Sequence, residues 1–234
     1  MGLEHVLVAG GGSGGHVFPA LAVVEQLAER GWELSWLGRD EGMERELVEP
    51  RDLSYHGLPA RAVVGRSVVE RVFAMGEMGL SAIKARQLIR RIDASVVLGT
   101  GGFVSAPGVM GAGLAGRPAV LLEPNLVPGA ANRLLSRWAT VAAVASQETV
   151  SQLRCPVEET GVPIRSEFSA VTQPAEMEGP LNLLVLGGSQ GARQLNELLP
   201  AALECLRVDG RGMRVVHQVG SGLLDEARAA YERR

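Results

Sequence analysis

The stretch His-Val-Leu-Val-Ala-Gly-Gly-Gly-Ser-Gly-Gly-His-Val-Phe-Pro-Ala-Leu-Ala, residues 5–22, decides the fold. Residues 6–9 form a short apolar run typical of a buried strand, and a glycine loop follows at residues 10–15. Apolar residues at helical spacing over residues 19–30 predict a helix with Pro19 in its first turn. Because glycine amides and a helix N-terminus together attract anions, the stretch predicts a turn that binds phosphate or diphosphate.

The same order of strand, turn and helix repeats along the chain. A long helix, interrupted near Gly76 and Gly79, is predicted over residues 67–91. Further buried strands are predicted at residues 33–37, 95–98, 118–122 and 141–145. Alternating strands and helices at this spacing predict an α/β fold with a doubly wound parallel sheet.

A second domain is indicated after a change of composition. Residues 166–180 are rich in Ser, Pro, Thr, Gln and Glu without a period, and the strand, glycine loop and helix then recur from residue 181. The opening of this segment echoes the N-terminal stretch. The expected organisation is a Rossmann-like domain over residues 1–163, a linker over 164–180 and a second, incomplete Rossmann-like domain over 181–234.

Composition excludes several classes of protein. The 234 residues are 46% hydrophobic and 21% charged, which is typical of a chain with a packed core and not of a disordered one. A net charge of −3 argues against a general nucleic-acid binder, so no nucleic acid is expected as partner. The two cysteines, Cys155 and Cys205, make no disulfide framework and favour a reducing, cytoplasmic location.

Two segments bear on membranes. Residues 94–116 carry no charge and have the length of a bilayer span, but their many glycines and Pro107 favour a strand, a loop and a helix. We therefore predict no transmembrane segment. Residues 63–84 and the adjoining Arg61 mix apolar side chains with the basic residues Arg61, Arg66, Arg71 and Lys84, which indicates an interfacial surface for anionic membrane. An ordinary helix packed on the sheet is the alternative.

Three glycine loops each follow a predicted strand, at residues 10–15, 99–102 and 187–191. Two loops in one domain and one in the next favour two phosphate-bearing ligands that meet across a cleft. A nicotinamide dinucleotide enzyme is the alternative, because Asp40 follows the second strand where such enzymes carry an acidic residue, but an enzyme of that kind usually needs only one such loop.

Individual side chains near the strand ends are candidates for the chemistry. His16 is interpreted as a general base or a phosphate donor, the alternative being a histidine that braces the loop. Glu123 is expected to be exposed in the crevice beyond its strand, or to be a solvated loop acid. Asn125 also follows that strand, and Arg165 either clamps a diphosphate or makes a surface ion pair. The chain has no Asp-x-Asp pair and no metal-ligand spacing, so no metal is expected.

These motifs together resemble the MurG glycosyltransferase family. The resemblance rests on residues 10–22, Trp36-Leu-Gly, residues 96–108, Glu123-Pro-Asn and residues 187–193, in this order. It implies a GT-B fold of two Rossmann-like domains and no cofactor. The implied reaction is the inverting, metal-independent transfer of N-acetylglucosamine from UDP-N-acetylglucosamine to the muramoyl C4 hydroxyl of undecaprenyl-diphosphate-linked lipid I, which forms lipid II for peptidoglycan at the cytoplasmic face of the plasma membrane.

The resemblance also implies site residues. His16 and Glu123 would be catalytic, with His16 as the proposed general base. Substrate would be bound by Ser13, Gly14, Gly15, Gly101, Gly102, Asn125, Arg165 and Ser189. Because the family extends further than this chain, a truncated, non-catalytic module that binds the lipid diphosphate is the alternative function, and an NAD-dependent oxidoreductase is a more distant one.

Overall fold

The computed structural model describes residues 4–59, 68–169, 179–188, 190–206 and 212–233. The chain divides into two compact units, residues 1–171 and 172–234. The first unit contains β1 (His5–Ala9), α1 (Gly14–Glu29), β2 (Glu33–Arg39), α2 (Met43–Val48), β3 (Ser54–Leu58), α3 (Val68–Arg91), β4 (Val96–Gly99), α4 (Gly102–Ala115), β5 (Ala119–Glu123), α5 (Ala130–Leu135), β6 (Val141–Val144), β7 (Val157–Glu159) and α6 (Ser166–Ser169).

The first unit is built on a seven-stranded sheet in which every described pairing is parallel. The strand order is β3-β2-β1-β4-β5-β6-β7, so the chain reverses its direction of travel across the sheet between β1 and β4. The predicted doubly wound parallel sheet is confirmed. In such sheets ligands bind beyond the carboxyl ends of the strands at this reversal, the topological switch point.

Both faces of this sheet are buried, as parallel sheets require. Alternate residues of β1 pack into separate cores: Leu7 joins Ile89 of α3 and Val109 of α4 on one face, whereas Val8 joins Leu21 of α1 on the other. A central strand that is buried on both faces gives its carboxyl end a fixed position. The loop that follows β1 therefore starts from a rigid point.

Two helices differ from the prediction. Helix α1 begins at Gly14, and Pro19 lies inside it and not in its first turn. The proline removes one helical hydrogen bond, but the buried Val17 and Leu21 on either side of it anchor α1 to the sheet. The prediction that α3 is interrupted near Gly76 and Gly79 is wrong, because the helix runs unbroken from Val68 to Arg91.

The reason that α3 stays intact lies in where its glycines face. A Cβ added at Gly76 or Gly79 would meet no atom within 4 Å, so both glycines lie on the open side of the helix. Glycine in a helix costs about 1 kcal/mol relative to alanine, which weakens a helix without breaking it. Buried Ala82, Ala85 and Ile89 hold the opposite side of α3.

The second unit repeats the first one's opening on a smaller scale. It contains β8 (Leu181–Leu186), α7 (Arg193–Cys205), β9 (Met213–Gln218) and α8 (Leu224–Glu232), with β8 and β9 paired in parallel. The strand and the helix predicted to recur from residue 181 are confirmed as β8 and α7. The exact borders predicted for the two domains and their linker stay a prediction.

Candidate active site

The first two glycine loops meet at the topological switch point. β1 and β4 are adjacent parallel strands, so the loops that follow Ala9 and Gly99 leave the same edge of the sheet. The Thr100 amide donates to the Ala9 carbonyl at 3.1 Å, and Gly10 packs on the Thr100 side chain so closely that a Cβ would not fit. The structure therefore brings together two of the three predicted anion-binding loops.

Ser13, Gly14 and Gly15 form the open start of α1. Ser13 is the N-cap residue, with extended backbone and no side-chain hydrogen bond to the helix, and its side chain is exposed. The first turn carries no acidic side chain that would compete with an anion. A helix start of this kind presents backbone N–H groups and positive potential to a negatively charged ligand.

His16 lies between this helix start and the second glycine loop. A Cβ at Gly101 would lie 3.0 Å from its Cε1 atom, and a Cβ at Gly102 would lie 3.3 Å from its Cδ2 atom. Both glycines have left-handed backbone, with φ of +93° and +69°. The second loop thus needs glycine for its conformation and for the close approach of the imidazole.

The imidazole of His16 is half-buried, and its Nδ1 atom is buried without a hydrogen-bond partner among the described residues. An imidazole whose ring nitrogens are not committed to the protein can take or give a proton. It lies at the switch point, where a ligand is expected. This geometry fits the predicted role of His16 as a general base, which stays a prediction.

Glu123 is not exposed, and both interpretations that placed it in solvent are wrong. The residue is 1% exposed at the end of β5. Its Oε1 atom accepts from the backbone and side-chain amides of Asn125 at 3.0 and 2.8 Å. Its Oε2 atom accepts from the Gly129 amide at 2.9 Å and from Nδ2 of Asn132 at 3.0 Å. A carboxylate engaged by four donors orders the loop after β5 and is poorly placed to take a proton from a ligand.

Asn132 is a site residue that the sequence analysis missed. It lies in α5, is 1% exposed, and donates from Nδ2 to the Leu122 carbonyl at 3.1 Å as well as to Glu123. A Cβ at Gly101 would lie 3.2 Å from this Nδ2 atom and 3.1 Å from Nδ1 of His16. Asn132 therefore connects the Glu123 loop to the glycine loop on which His16 packs.

The remaining predicted binding residues have different surroundings. Asn125 is exposed, with its side-chain amide held by Glu123. Arg165 is exposed, 3.7 Å from a carboxylate oxygen of Glu167 and with its guanidinium 4.8 Å from the Phe168 ring centroid. Ser189 lies outside the described residues. The third glycine loop follows β8 in the second unit, where Gly188 and Gly191 have positive φ.

A second buried acid was also missed. Glu44, in α2, is fully buried and accepts from the Gly12 amide of the first glycine loop. The sequence offers no signal for it, because an acid in a short polar helix is usually solvated. Within the part of the chain that the structure describes, no three His, Cys, Asp or Glu side chains cluster closely enough to hold a metal ion.

Two domain families match the chain in the order of its two units. The glycosyltransferase family 28 N-terminal domain matches residues 6–144, and the family 28 C-terminal domain matches residues 182–234. The chain therefore belongs to glycosyltransferase family 28. The alternative of an NAD-dependent oxidoreductase is set aside by this membership.

Curated relatives with high similarity are named UDP-N-acetylglucosamine--N-acetylmuramyl-(pentapeptide) pyrophosphoryl-undecaprenol N-acetylglucosamine transferase. The relative from Acidovorax sp. (strain JS42) is 39% identical over 96% of this chain and 56% of its own length. The relative from Shewanella baltica (strain OS185) is 40% identical over 98% of this chain and 63% of its own length. The chain thus spans about three fifths of the length of the curated relatives it matches.

Solved structures agree with the fold. MurG from Acinetobacter baumannii has a TM-score of 0.72 and 31% identity, with 98% of this chain and 62% of that chain covered. A glycosyltransferase from Rickettsia africae has a TM-score of 0.65 at 11% identity. The match covers 100% of this chain and 66% of the Rickettsia protein, and at this identity it supports the fold alone. The predicted resemblance to MurG and the GT-B class of fold are confirmed.

Proposed function

We propose that this chain takes part in the transfer of N-acetylglucosamine from UDP-N-acetylglucosamine to lipid I, which yields lipid II for peptidoglycan. The observation that carries the proposal is the similarity, over 96–98% of the chain, to relatives named for this reaction. The site geometry supports it, because two glycine loops and an open helix start meet at one switch point. Such a site suits a ligand with a diphosphate.

The proposed chemistry is a single displacement with inversion. His16 takes the proton of the acceptor C4 hydroxyl, the C4 oxygen forms a bond to the anomeric carbon of the donor sugar, and the bond from that carbon to UDP breaks. A proton transfer of this kind needs an imidazole with an uncommitted nitrogen, and the ring of His16 lies against Gly101 and Gly102 at the switch point. Glu123 is assigned a positioning role in this scheme, because its oxygens already accept four hydrogen bonds.

The proposed binding roles are as follows. Ser13, Gly14 and Gly15 contact the donor sugar, and the first and second glycine loops, with Gly101 and Gly102, hold the acceptor diphosphate. Asn125 touches the donor sugar. Arg165 and Ser189 bind the nucleotide diphosphate, for which the exposed guanidinium of Arg165 has suitable charge.

Calorimetry and a coupled transfer assay with the 234-residue chain test the proposal. We expect saturable binding of a soluble lipid I analogue and release of UDP when UDP-N-acetylglucosamine is added. Binding of the analogue without any transfer would favour the non-catalytic lipid-diphosphate module. Absence of binding to both the analogue and the donor would contradict the proposed function.

We also propose peripheral association with the anionic cytoplasmic face of the plasma membrane. Within the described ranges, no helix has the combination of length and apolar character that a bilayer span requires. Met75, Leu80 and Ile83 of α3 are 65%, 64% and 47% exposed, and Lys84 follows them. Exposed apolar side chains beside a cation fit an interfacial helix. Residues 60–67, and the side chains of 68–73, lie outside the described part of the predicted surface.

Sedimentation with liposomes tests this association. We expect the chain to pellet with vesicles that contain anionic phospholipid at low salt and to be released at high salt, because salt screens the attraction. Purely zwitterionic vesicles serve as the control. A variant with Met75→Ser and Leu80→Ser should pellet less, and equal pelleting with both kinds of vesicle would contradict the anionic preference.

A further inference from the structure

Glu44 is a fully buried carboxylate directly beneath the first glycine loop. It lies near the start of α2 and is 0% exposed, so no ligand touches it. Its Oε2 atom accepts from the Gly12 amide at 3.2 Å, and its Oε1 atom accepts from the Arg39 amide at 2.9 Å. One side chain thus joins the loop after β1 to the end of β2.

Three glycines pack directly against the Glu44 side chain, at distances that leave no room for a side chain of their own. A Cβ at Gly11 or Gly42 would collide with the Glu44 carboxylate, and a Cβ at Gly38 would lie 2.9 Å from its Cγ atom. These glycines come from the first loop, from β2 and from the N-cap of α2. Three separate segments therefore close around one acid.

The buried charge of Glu44 is paired. Nε of Arg39 lies 3.5 Å from Oε1 of Glu44, and the Arg39 guanidinium lies 6.0 Å from the ring centroid of Phe103. Phe103 belongs to the first turn of α4, and its Cε1 atom would lie 3.8 Å from a Cβ at Gly12. A buried carboxylate without a partner is strongly unfavourable, and the ion pair with Arg39 relieves that cost. Through Arg39 and Phe103, the same contacts place Gly12, the end of β2 and the start of α4 in one cluster.

Gly12 connects this cluster to the candidate site, because its amide donates to Glu44 and the start of α1 follows it in the chain. Its backbone is left-handed, with φ of +86°, and Ser13 and the open start of α1 follow immediately. We infer that Glu44 is a positioning residue for diphosphate binding: by holding the Gly12 amide, it fixes the first glycine loop in the conformation that aims the start of α1 at the ligand. The inference rests on the proposed function for the identity of the ligand.

The direction in which Glu44→Gln changes ligand affinity distinguishes a positioning role of Glu44 from an effect of its charge. A carboxylate near an anion site repels the anion, so removal of its charge alone would tighten binding. Loss of positioning would weaken binding instead. Glu44→Gln keeps the shape but offers one acceptor oxygen and an NH₂ group where two N–H donors converge.

The experiment compares Glu44→Gln with Glu46→Gln, which removes the same charge from an exposed position of the same helix. Calorimetry with a soluble lipid I analogue, and separately with inorganic pyrophosphate, is run well below the melting temperature of each variant. We expect about tenfold weaker binding for Glu44→Gln and less than twofold change for Glu46→Gln. Unchanged or tighter binding by folded Glu44→Gln would overturn the inference.

Amide hydrogen exchange measured by NMR keeps the inference separate from the proposed function. We expect exchange at Gly12 or Arg39 to be about tenfold faster or more in Glu44→Gln, because one of the two hydrogen bonds to the side chain is lost. If wild-type protein bound neither probe while exchange changed in this way, the proposed function would fail and the positioning of the loop would stand. Unchanged exchange at both amides would overturn the positioning itself.

A second variant covers the case in which Glu44→Gln does not fold. Gly12→Ala leaves Glu44 intact, and its Cβ would meet no atom closer than 3.7 Å, but alanine disfavours the positive φ. We expect Gly12→Ala to lose about tenfold in affinity for the same analogue. Wild-type affinity in this variant would overturn the inference, because the loop conformation would then not matter.

Discussion

Replacement of His16 by alanine is expected to lower turnover by about 10²–10⁴-fold, the usual contribution of a general base. The imidazole packs on Gly101 and Gly102 at the switch point, and its Nδ1 atom has no partner among the described residues. The substitution removes the proposed proton acceptor without adding bulk. The measurement is the rate of UDP release with saturating donor and a soluble lipid I analogue.

His56→Gln is the control for this experiment. His56 lies on β3, at the edge of the sheet farthest from β7, and β2 separates this strand from β1. We expect it to keep the wild-type rate. Thermal melting of both variants checks that the first unit is folded. If His16→Ala were folded and turned over at the wild-type rate, His16 would be a structural brace of the loop and not a base.

Replacement of Glu123 by alanine is expected to lower the free energy of unfolding of the first unit by about 3–5 kcal/mol, because the four hydrogen bonds that its carboxylate accepts are lost. The donors on Asn125, Gly129 and Asn132 lose their acceptor, and Asn132 is the buried residue among the three. A hydrogen bond to a charged group contributes about 1.5–3 kcal/mol, and the exposed Asn125 and Gly129 regain part of this in bonds to water.

Urea unfolding, followed by tryptophan fluorescence, measures the free energy of unfolding of the first structural unit. All three tryptophans, Trp32, Trp36 and Trp138, lie in the first unit. Glu159→Ala is the matched control, because Glu159 also ends a strand of the same sheet but is exposed. We expect the control to change the free energy by less than about 0.5 kcal/mol. A comparably small effect in Glu123→Ala would show that its hydrogen bonds do not stabilise the fold.

The central strands of the fold could be predicted from the sequence, whereas the edge strands could not. β1 and β4 are continuous apolar runs, because both of their faces are covered. β3 and β7 are the outermost strands of the sheet. Their residues are half-buried or exposed, so no apolar run marks them in the sequence.

At the candidate site, the backbone features could be predicted from the sequence, whereas the surroundings of the acidic side chains could not. Glycine loops are visible in the sequence, because backbone that turns sharply or approaches a neighbour needs glycine wherever the fold places it. The surroundings of an acid are not visible. Glu123 and Glu44 accept from the backbone amides of Gly129, Gly12 and Arg39 and from the side chain of Asn132, and backbone amides leave no mark in the sequence.

The glycines of the first loop divide into two groups with different causes. At Gly10 and Gly11 a methyl group would strike Thr100 or Glu44, and Gly12 has a positive φ that other residues adopt only at a cost, so the backbone favours glycine at all three positions even without a ligand. A methyl at Gly14 would meet only the exposed Phe18 ring, and one at Gly15 would meet nothing closer than 3.9 Å. The folded backbone therefore accounts for the first three glycines, whereas the last two leave open space at the helix start where the ligand is proposed to bind.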